Sequence, residues 1–146
     1  MIKICFVCLG NICRSPMAEF MMKNKTNDYL ITSKAVSNEE EGNDMHYGAK
    51  KELTLNNIPF SKRKATKLTK EDYDKYDYFI CMDSSNIYQA LNIFGNDKDK
   101  KIYRLLDFTN DKRDISDPWY THNFKQTYDD IDKGLDRLIK YLKNKK

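Results

Sequence analysis

The sequence predicts an α/β fold: an open, doubly wound, four-stranded parallel sheet with helices on both faces. Three observations lead there. Short apolar runs of strand character alternate with helix-like stretches along the chain. The C-terminal segment carries an apolar stripe at helical spacing. The first strand runs into a compact turn and a helix start. In sheets of this kind ligands sit there, beyond the carboxyl ends of the strands.

The strands are expected at Ile2 to Val7, Tyr29 to Val36, Tyr76 to Met82 and Lys101 to Leu106. Between them, Pro16 to Lys25 places Met17, Phe20 and Met21 on one helical face, and Asp44 to Asn56 does the same with Met45, Ala49 and Leu53. Ser84 to Phe94 carries Ile87, Leu91 and Phe94, with Gly95 as a stop signal. In the last helix Phe124, Tyr128, Ile131, Leu135, Leu138 and Leu142 alternate steps of four and three, a stripe that must cover the sheet. Right-handed crossovers between parallel strands then give a Rossmann-like or flavodoxin-like winding. The longest loops are expected at Asp107 to Tyr120 and around Ile58 to Thr69. No repeat, linker or low-complexity segment intervenes, so residues 1–146 read as one domain.

A chain of 146 residues is long enough to bury its own core. No apolar run approaches the ~20 residues needed to span a membrane. The N-terminal apolar run is short and broken by Lys3, unlike a signal peptide, so a cytoplasmic protein is expected. The net charge of +4 is mild. Lys62-Arg63-Lys64 and the lysines from Lys140 to Lys146 read as solvated surface, and no nucleic-acid-binding motif accompanies them. The cysteines are Cys5, Cys8, Cys13 and Cys81. A reducing compartment argues against structural disulfides. Cys5 and Cys8 are three apart on a strand and point to opposite faces, which disfavours half a metal site or a thioredoxin-like pair. No metal and no cofactor are expected.

The segment from Cys8 to Ser15 carries the chemistry. A strand brings Cys8 to the sheet rim, and the N–H groups of residues 9 to 14 can curl inward as a nest. The following helix adds the positive end of its dipole. Ser15 is a suitable N-cap and Pro16 suits the first turn. Asn11 tolerates left-handed backbone. Arg14 brings a planar fork that grips two oxygens of a phosphate-like dianion. An arginine and a helix N-terminus favour the thiolate form of a cysteine, which is the nucleophile. The cradle would neutralise the dianion so that Cys8 can attack it, forming a phosphocysteine.

Cys8-Leu9-Gly10-Asn11-Ile12-Cys13-Arg14-Ser15, followed by Pro16 and Met17-Ala18-Glu19, resembles the signature loop of the low molecular weight protein tyrosine phosphatases. Asp117-Pro118-Trp119-Tyr120 resembles the family's general-acid loop. The run from Cys81 to Asn86, the length and the element order extend the resemblance over nearly the whole chain. It implies metal-independent hydrolysis of phosphotyrosine in proteins or peptides, and of small aryl phosphates, with inorganic phosphate or other oxyanions as product or inhibitors. It also implies a monomer. Cys8 and Arg14 would act with Asp117 as general acid and then base, while Leu9, Gly10, Asn11, Ile12, Cys13 and Ser15 bind the phosphate. Ser37 is implied as the partner of Asn11.

Asp114 and Asp111 compete with Asp117, but only Asp117 precedes Pro and two aromatics. Trp119 and Tyr120 would sandwich a phenyl ring with Leu9 and Ile12. The Ser15 hydroxyl suits a hydrogen bond to Cys8. Cys13 is placed to form a transient disulfide with Cys8 under oxidation. His46 and His122 read as surface residues. Three features depart from the family pattern: Trp119 where Tyr is frequent, the acidic run Asn38-Glu39-Glu40-Glu41 where a rim aromatic is common, and Arg63 or Lys64 where many relatives carry His.

Three rivals remain. Arsenate reduction on the same fold needs resolving cysteines, and Cys81 has no second Cys in the helix after it. A protein-arginine phosphatase usually has Thr at the Ile12 position, where this chain is apolar. A silent phosphopeptide-binding module would have signalled itself by loss of Cys8 or Asp117, and both are present.

Overall fold

The computed structural model describes residues 1–145. Four parallel strands, β1 (Lys3–Cys8), β2 (Leu30–Ala35), β3 (Tyr78–Cys81) and β4 (Ile102–Arg104), lie in the order β2-β1-β3-β4. The helices are α1 (Arg14–Lys25), α2 (Tyr47–Leu55), α3 (Ser84–Phe94), α4 (Pro118–Thr121) and α5 (Phe124–Asn144). The predicted doubly wound α/β sheet is therefore present. The chain leaves β1 for β2 on one side and crosses back to β3 on the other, so strand order reverses at the carboxyl end of β1, where Cys8 lies.

Period-two alternation sorts β1 between two cores. Ile4, Phe6 and Cys8 face one layer with Met17, Met21, Leu53, Leu135 and Leu138. Cys5 and Val7 face the other with Phe79, Cys81, Ala90 and Phe94. Cys5 and Cys8 thus point to opposite faces, and all four cysteines are free. The stripe of α5 buries Ile131, Leu135, Leu138 and Leu142, while Phe124 and Tyr128 pack at its edge. Helix α5 also passes very close to Leu105. A Cβ at Gly134 would lie 2.6 Å from Leu105 Cγ, so only glycine fits this crossing.

Element ends depart from the sequence expectation for local reasons. Strand β4 stops at Arg104, because Leu105–Phe108 tighten into a 3₁₀ turn that buries Leu105 and Leu106. Helix α2 starts at Tyr47, since His46 is its cap and Nδ1 accepts from Gly48 N at 3.0 Å. Helix α1 starts at Arg14 with Cys13 in the cap position, so Ser15 is not the N-cap. The Asp107 to Tyr120 loop holds the 3₁₀ turn and the first turn of α4. Among the described residues no helix is long and apolar enough to cross a membrane.

Candidate active site

Cys8 ends β1 almost fully buried. Its Sγ receives the N–H groups of Asn11 at 3.3 Å and Ser15 at 3.4 Å, and lies 3.0 Å from Ser15 Oγ. The loop closes this tightly because Asn11 adopts a left-handed backbone, φ 59°.

The Asn11 side chain is buried and uses all its bonding capacity. Its Oδ1 accepts from Thr66 N at 3.2 Å and from Arg63 Nη2. Both partners can only donate, so the amide orientation is fixed. Nδ2 therefore donates, to Ser15 Oγ at 2.8 Å and Ser33 Oγ at 2.9 Å. The Ser33 hydroxyl in turn donates to Glu19 Oε1 at 2.6 Å. Ser15 Oγ accepts from Asn11, and toward a Cys8 thiolate, which can only accept, its hydroxyl donates. Three donors thus converge on the sulfur, an arrangement suited to an anion there.

This network corrects one expectation. The serine partner of Asn11 on the second strand is Ser33, not Ser37. Ser37 N donates to Leu9 O at 3.1 Å, and its buried hydroxyl has no partner among the described residues. The left-handed turn at Asn11 folds the amide back over the middle of β2, whereas Ser37 lies past its end. Of Arg63 and Lys64, it is Arg63 that reaches this network, through Asn11 Oδ1. Burial lowers the Arg63 pKa despite Glu19, Asp44 and Cys8 nearby, and the guanidinium still stays charged at neutral pH.

Arg14 is held from behind. Nη1 donates to Asp83 Oδ2 at 2.7 Å and to Ile115 O at 2.8 Å, and Nη2 lies 3.4 Å from Asp117 Oδ2. Burial opposes its charge, but Cys8, Asp117 and Asp83 outweigh that and raise its pKa. Asp83 is itself locked, since its Oδ1 accepts from Asn86 N at 2.8 Å while Asn86 Oδ1 accepts from Asp83 N at 3.2 Å. The sequence alone assigns Asp83 no role. A cap at the end of a strand beside β1 was the available signal.

Asp117 caps α4, with Oδ1 accepting from Trp119 N at 3.0 Å, and it lines the pocket over Cys8. Its rivals are engaged elsewhere: Asp114 with Ser84 and Arg104, Asp111 with Arg113 and Lys133. The pocket, about 100 Å³, has Leu9, Gly10 and Ile12 in its wall, with Trp119, Tyr120, Glu39 and Glu40 at its mouth. Gly10 lets the acidic loop approach, because a Cβ there would sit 3.3 Å from Glu40 Cγ. Cys13 also lines it, and burial, then the Cys8 and Asp117 charges, push its thiol pKa far up. His46 is not the simple surface residue expected: its N–H donates to Ile12 O at 2.8 Å and its ring stacks on Phe124. His122 is exposed.

The chain as a whole is similar to known proteins. The family described as low molecular weight phosphotyrosine protein phosphatase matches residues 3–146. The chain is 38% identical over 148 aligned residues to the low molecular weight protein-tyrosine-phosphatase PtpA of Staphylococcus haemolyticus (strain JCSC1435), covering 97% of this chain and 94% of that protein. Among solved structures, a low molecular weight protein tyrosine phosphatase from Streptococcus pyogenes superposes with a TM-score of 0.90 at 38% identity, over 97% of this chain and 93% of the other. YfkJ from Bacillus subtilis superposes at 0.94 with 34% identity, over 100% and 97%. With the Cys8 cradle, Arg14 and Asp117 on one pocket, and with likeness along nearly its full length, the chain belongs to the low molecular weight phosphotyrosine protein phosphatase family.

Proposed function

We propose that residues 1–146 act as one phosphatase domain that hydrolyses phosphotyrosine in proteins or peptides, and small aryl phosphates, through a phosphocysteine on Cys8. The observation that carries this reading is the convergence of two N–H groups and the Ser15 hydroxyl on Cys8 Sγ, beside Arg14 and below Asp117. In the first step Cys8 sulfur forms a bond to phosphorus while the bond to the phenolic oxygen breaks, and Asp117 protonates that oxygen. In the second, water attacks phosphorus, Asp117 takes its proton, and the departing thiolate is received by the Ser15 hydroxyl. Arg14 and the N–H groups of the loop hold the equatorial oxygens in both. Inorganic phosphate and other oxyanions fit the same cradle.

The rivals fit less well. Cys81 lies in the core layer opposite Cys8, fully buried, and burial pushes its thiol well up, so it is poorly placed as a relay for arsenate reduction. Ile12 gives the pocket an apolar wall, suited to a phenyl ring over a guanidinium. The reading includes a monomer, and four free thiols suit the cytoplasm. Hydrolysis of an aryl phosphate that survives a chelator and is abolished by thiol alkylation is the expected result. A requirement for added metal would overturn this reading.

A further inference from the structure

Beside the catalytic pocket lies a larger groove, about 510 Å³, which the proposed chemistry leaves unused. Trp119 belongs to both: it lines the mouth of the pocket and one wall of the groove. The groove floor is an aromatic stack. His46 lies 5.3 Å from Phe124 and 4.5 Å from Tyr47 between ring centroids, and Trp119 stands edge-on to it at 5.6 Å. Tyr47, Leu55, Trp119 and Tyr120 are four of the few large apolar side chains exposed on this protein, and the first three line this groove. Exposed apolar surface gathered at one place marks an interaction site.

Charge indicates the kind of partner. Lys50 is paired with Asp44 and Lys125 with Asp129, but Lys51 on the groove wall makes no ion pair among the described residues. Glu52 is occupied by the Asn56 amide at 2.9 Å. The groove therefore offers apolar rings and the Lys51 ammonium, with the Glu52 carboxylate bonded toward Asn56. The opposite lip of the pocket is acidic, with Glu39 and Glu40.

We propose that the groove binds the stretch of substrate polypeptide next to the phosphorylated tyrosine, taking a large apolar side chain against Tyr47 and Leu55 and a carboxylate toward Lys51. Continuity through Trp119 supports this occupant: a chain whose phenyl ring stands between Trp119 and Ile12 needs only its next residues, at about 3.3 Å each, to enter the groove. The acidic lip then disfavours carboxylates on the other side, giving the substrate a direction. The proposal rests on the phosphatase reading of the pocket.

The test compares p-nitrophenyl phosphate, which ends at the pocket, with short phosphotyrosine peptides. The peptides carry Leu and Glu within three residues on one side or the other, against Gly and Ser. One orientation is expected to raise kcat/KM by about tenfold or more, the scale of one filled apolar subsite. Leu55→Glu and Lys51→Glu, both at the exposed rim, should erase that gain and leave p-nitrophenyl phosphate turnover unchanged. No gain in the wild type, or a gain that survives both variants, overturns the proposal. So does a wild-type dimer that Leu55→Glu dissolves, since a second copy would then be the occupant. Titrating the same peptides onto Cys8→Ser protein reads the groove without turnover. Selective binding with no catalysis in the wild type would sink the phosphatase reading and leave the groove standing.

Discussion

Arg63 donates to Asn11 Oδ1, and together with Thr66 N it sets the direction of the hydrogen bonds that run from Asn11 through Ser15 to Cys8 Sγ. Without Arg63 only the Thr66 N–H at 3.2 Å holds Oδ1, so the amide is less firmly fixed and the Ser15 proton less firmly committed to the sulfur.

Arg63 is thus read as a positioning residue. Arg63→Met is expected to lower kcat by about tenfold to a hundredfold, the worth of one charge-assisted hydrogen bond. Arg63→Lys, which keeps a donor, should recover part of it. Binding of inorganic phosphate should hold within a few-fold, because Arg14 and the loop N–H groups supply the cradle. A merely structural role would instead weaken kcat, phosphate binding and thermal stability together, and parallel titrations and melts distinguish the cases.

Thiol chemistry should follow burial. Burial, the largest cause in each case, pushes the Cys5 thiol up to about 12 and those of Cys13 and Cys81 well above their usual value. These three stay protonated at neutral pH. Iodoacetate inactivation should therefore track a single adduct on Cys8 and be slowed by phosphate. With peroxide, Cys8 becomes a sulfenic acid, and Cys13 can displace water from it to form the Cys8–Cys13 disulfide. The attacking species is the Cys13 thiolate, whose fraction rises with pH throughout the range below its pKa. The share of inactivation reversed by reductant should therefore increase from pH 6 to pH 9. A constant share, with peptide mapping that shows sulfinic acid on Cys8 throughout, would exclude Cys13 as the resolving thiol.

Asp44 ties the Arg63 segment to α2, accepting from Arg63 N at 3.2 Å and from Met45 N at 2.7 Å and pairing with Lys50 at 2.8 Å. Burial would raise its pKa, but the Lys50 bond and those two N–H groups win and lower it to about 2. A lowered carboxylate pKa means stability that is fully present above the unfolded value, about 3.9, and lost as pH falls through the folded one. Asp44→Asn should lower Tm by a few degrees at pH 7, with the gap to wild type closing between pH 4 and pH 2. Melting curves across that window check it, and a gap that persists at pH 2 would assign the loss to packing.

Legibility in the sequence followed chain distance. Cys8, Arg14 and Ser15 share one short segment, and Asp117 precedes its own Pro-aromatic run, so the sequence alone marked them. Asp83 escaped because its bond to Arg14 spans 69 positions and exists only because β3 lies beside β1. Ser33 escaped for a related reason. The left-handed turn at Asn11 decides which serine of the neighbouring strand it reaches, and spacing does not encode a backward fold. The parallel, doubly wound sheet was legible from the alternation of strands and helices, whereas its strand order and the end of β4 were not. Leu105 and Leu106 look like strand residues but bury themselves from a 3₁₀ turn.

Asp117 offers the sharpest separation of chemistry from structure. Asparagine caps a helix as well as aspartate does, so Asp117→Asn keeps the bond to Trp119 N and the first turn of α4. What it removes is the transferable proton. With an aryl phosphate of poor leaving ability, kcat should fall by ~10²–10⁴, the usual scale of general-acid catalysis. With a nitrophenolate the loss should shrink, because that oxygen departs with less protonation. Phosphate binding should not weaken, since Arg14 is held by Asp83 and Ile115 O independently of Asp117. The measurement is the slope of log kcat against leaving-group pKa, steeper in the variant than in the wild type. Equal slopes would mean that Asp117 only shapes the loop. Asp114 is a poor substitute donor, because the Ser84 N–H, the Ser84 hydroxyl and Arg104 already hold its Oδ1.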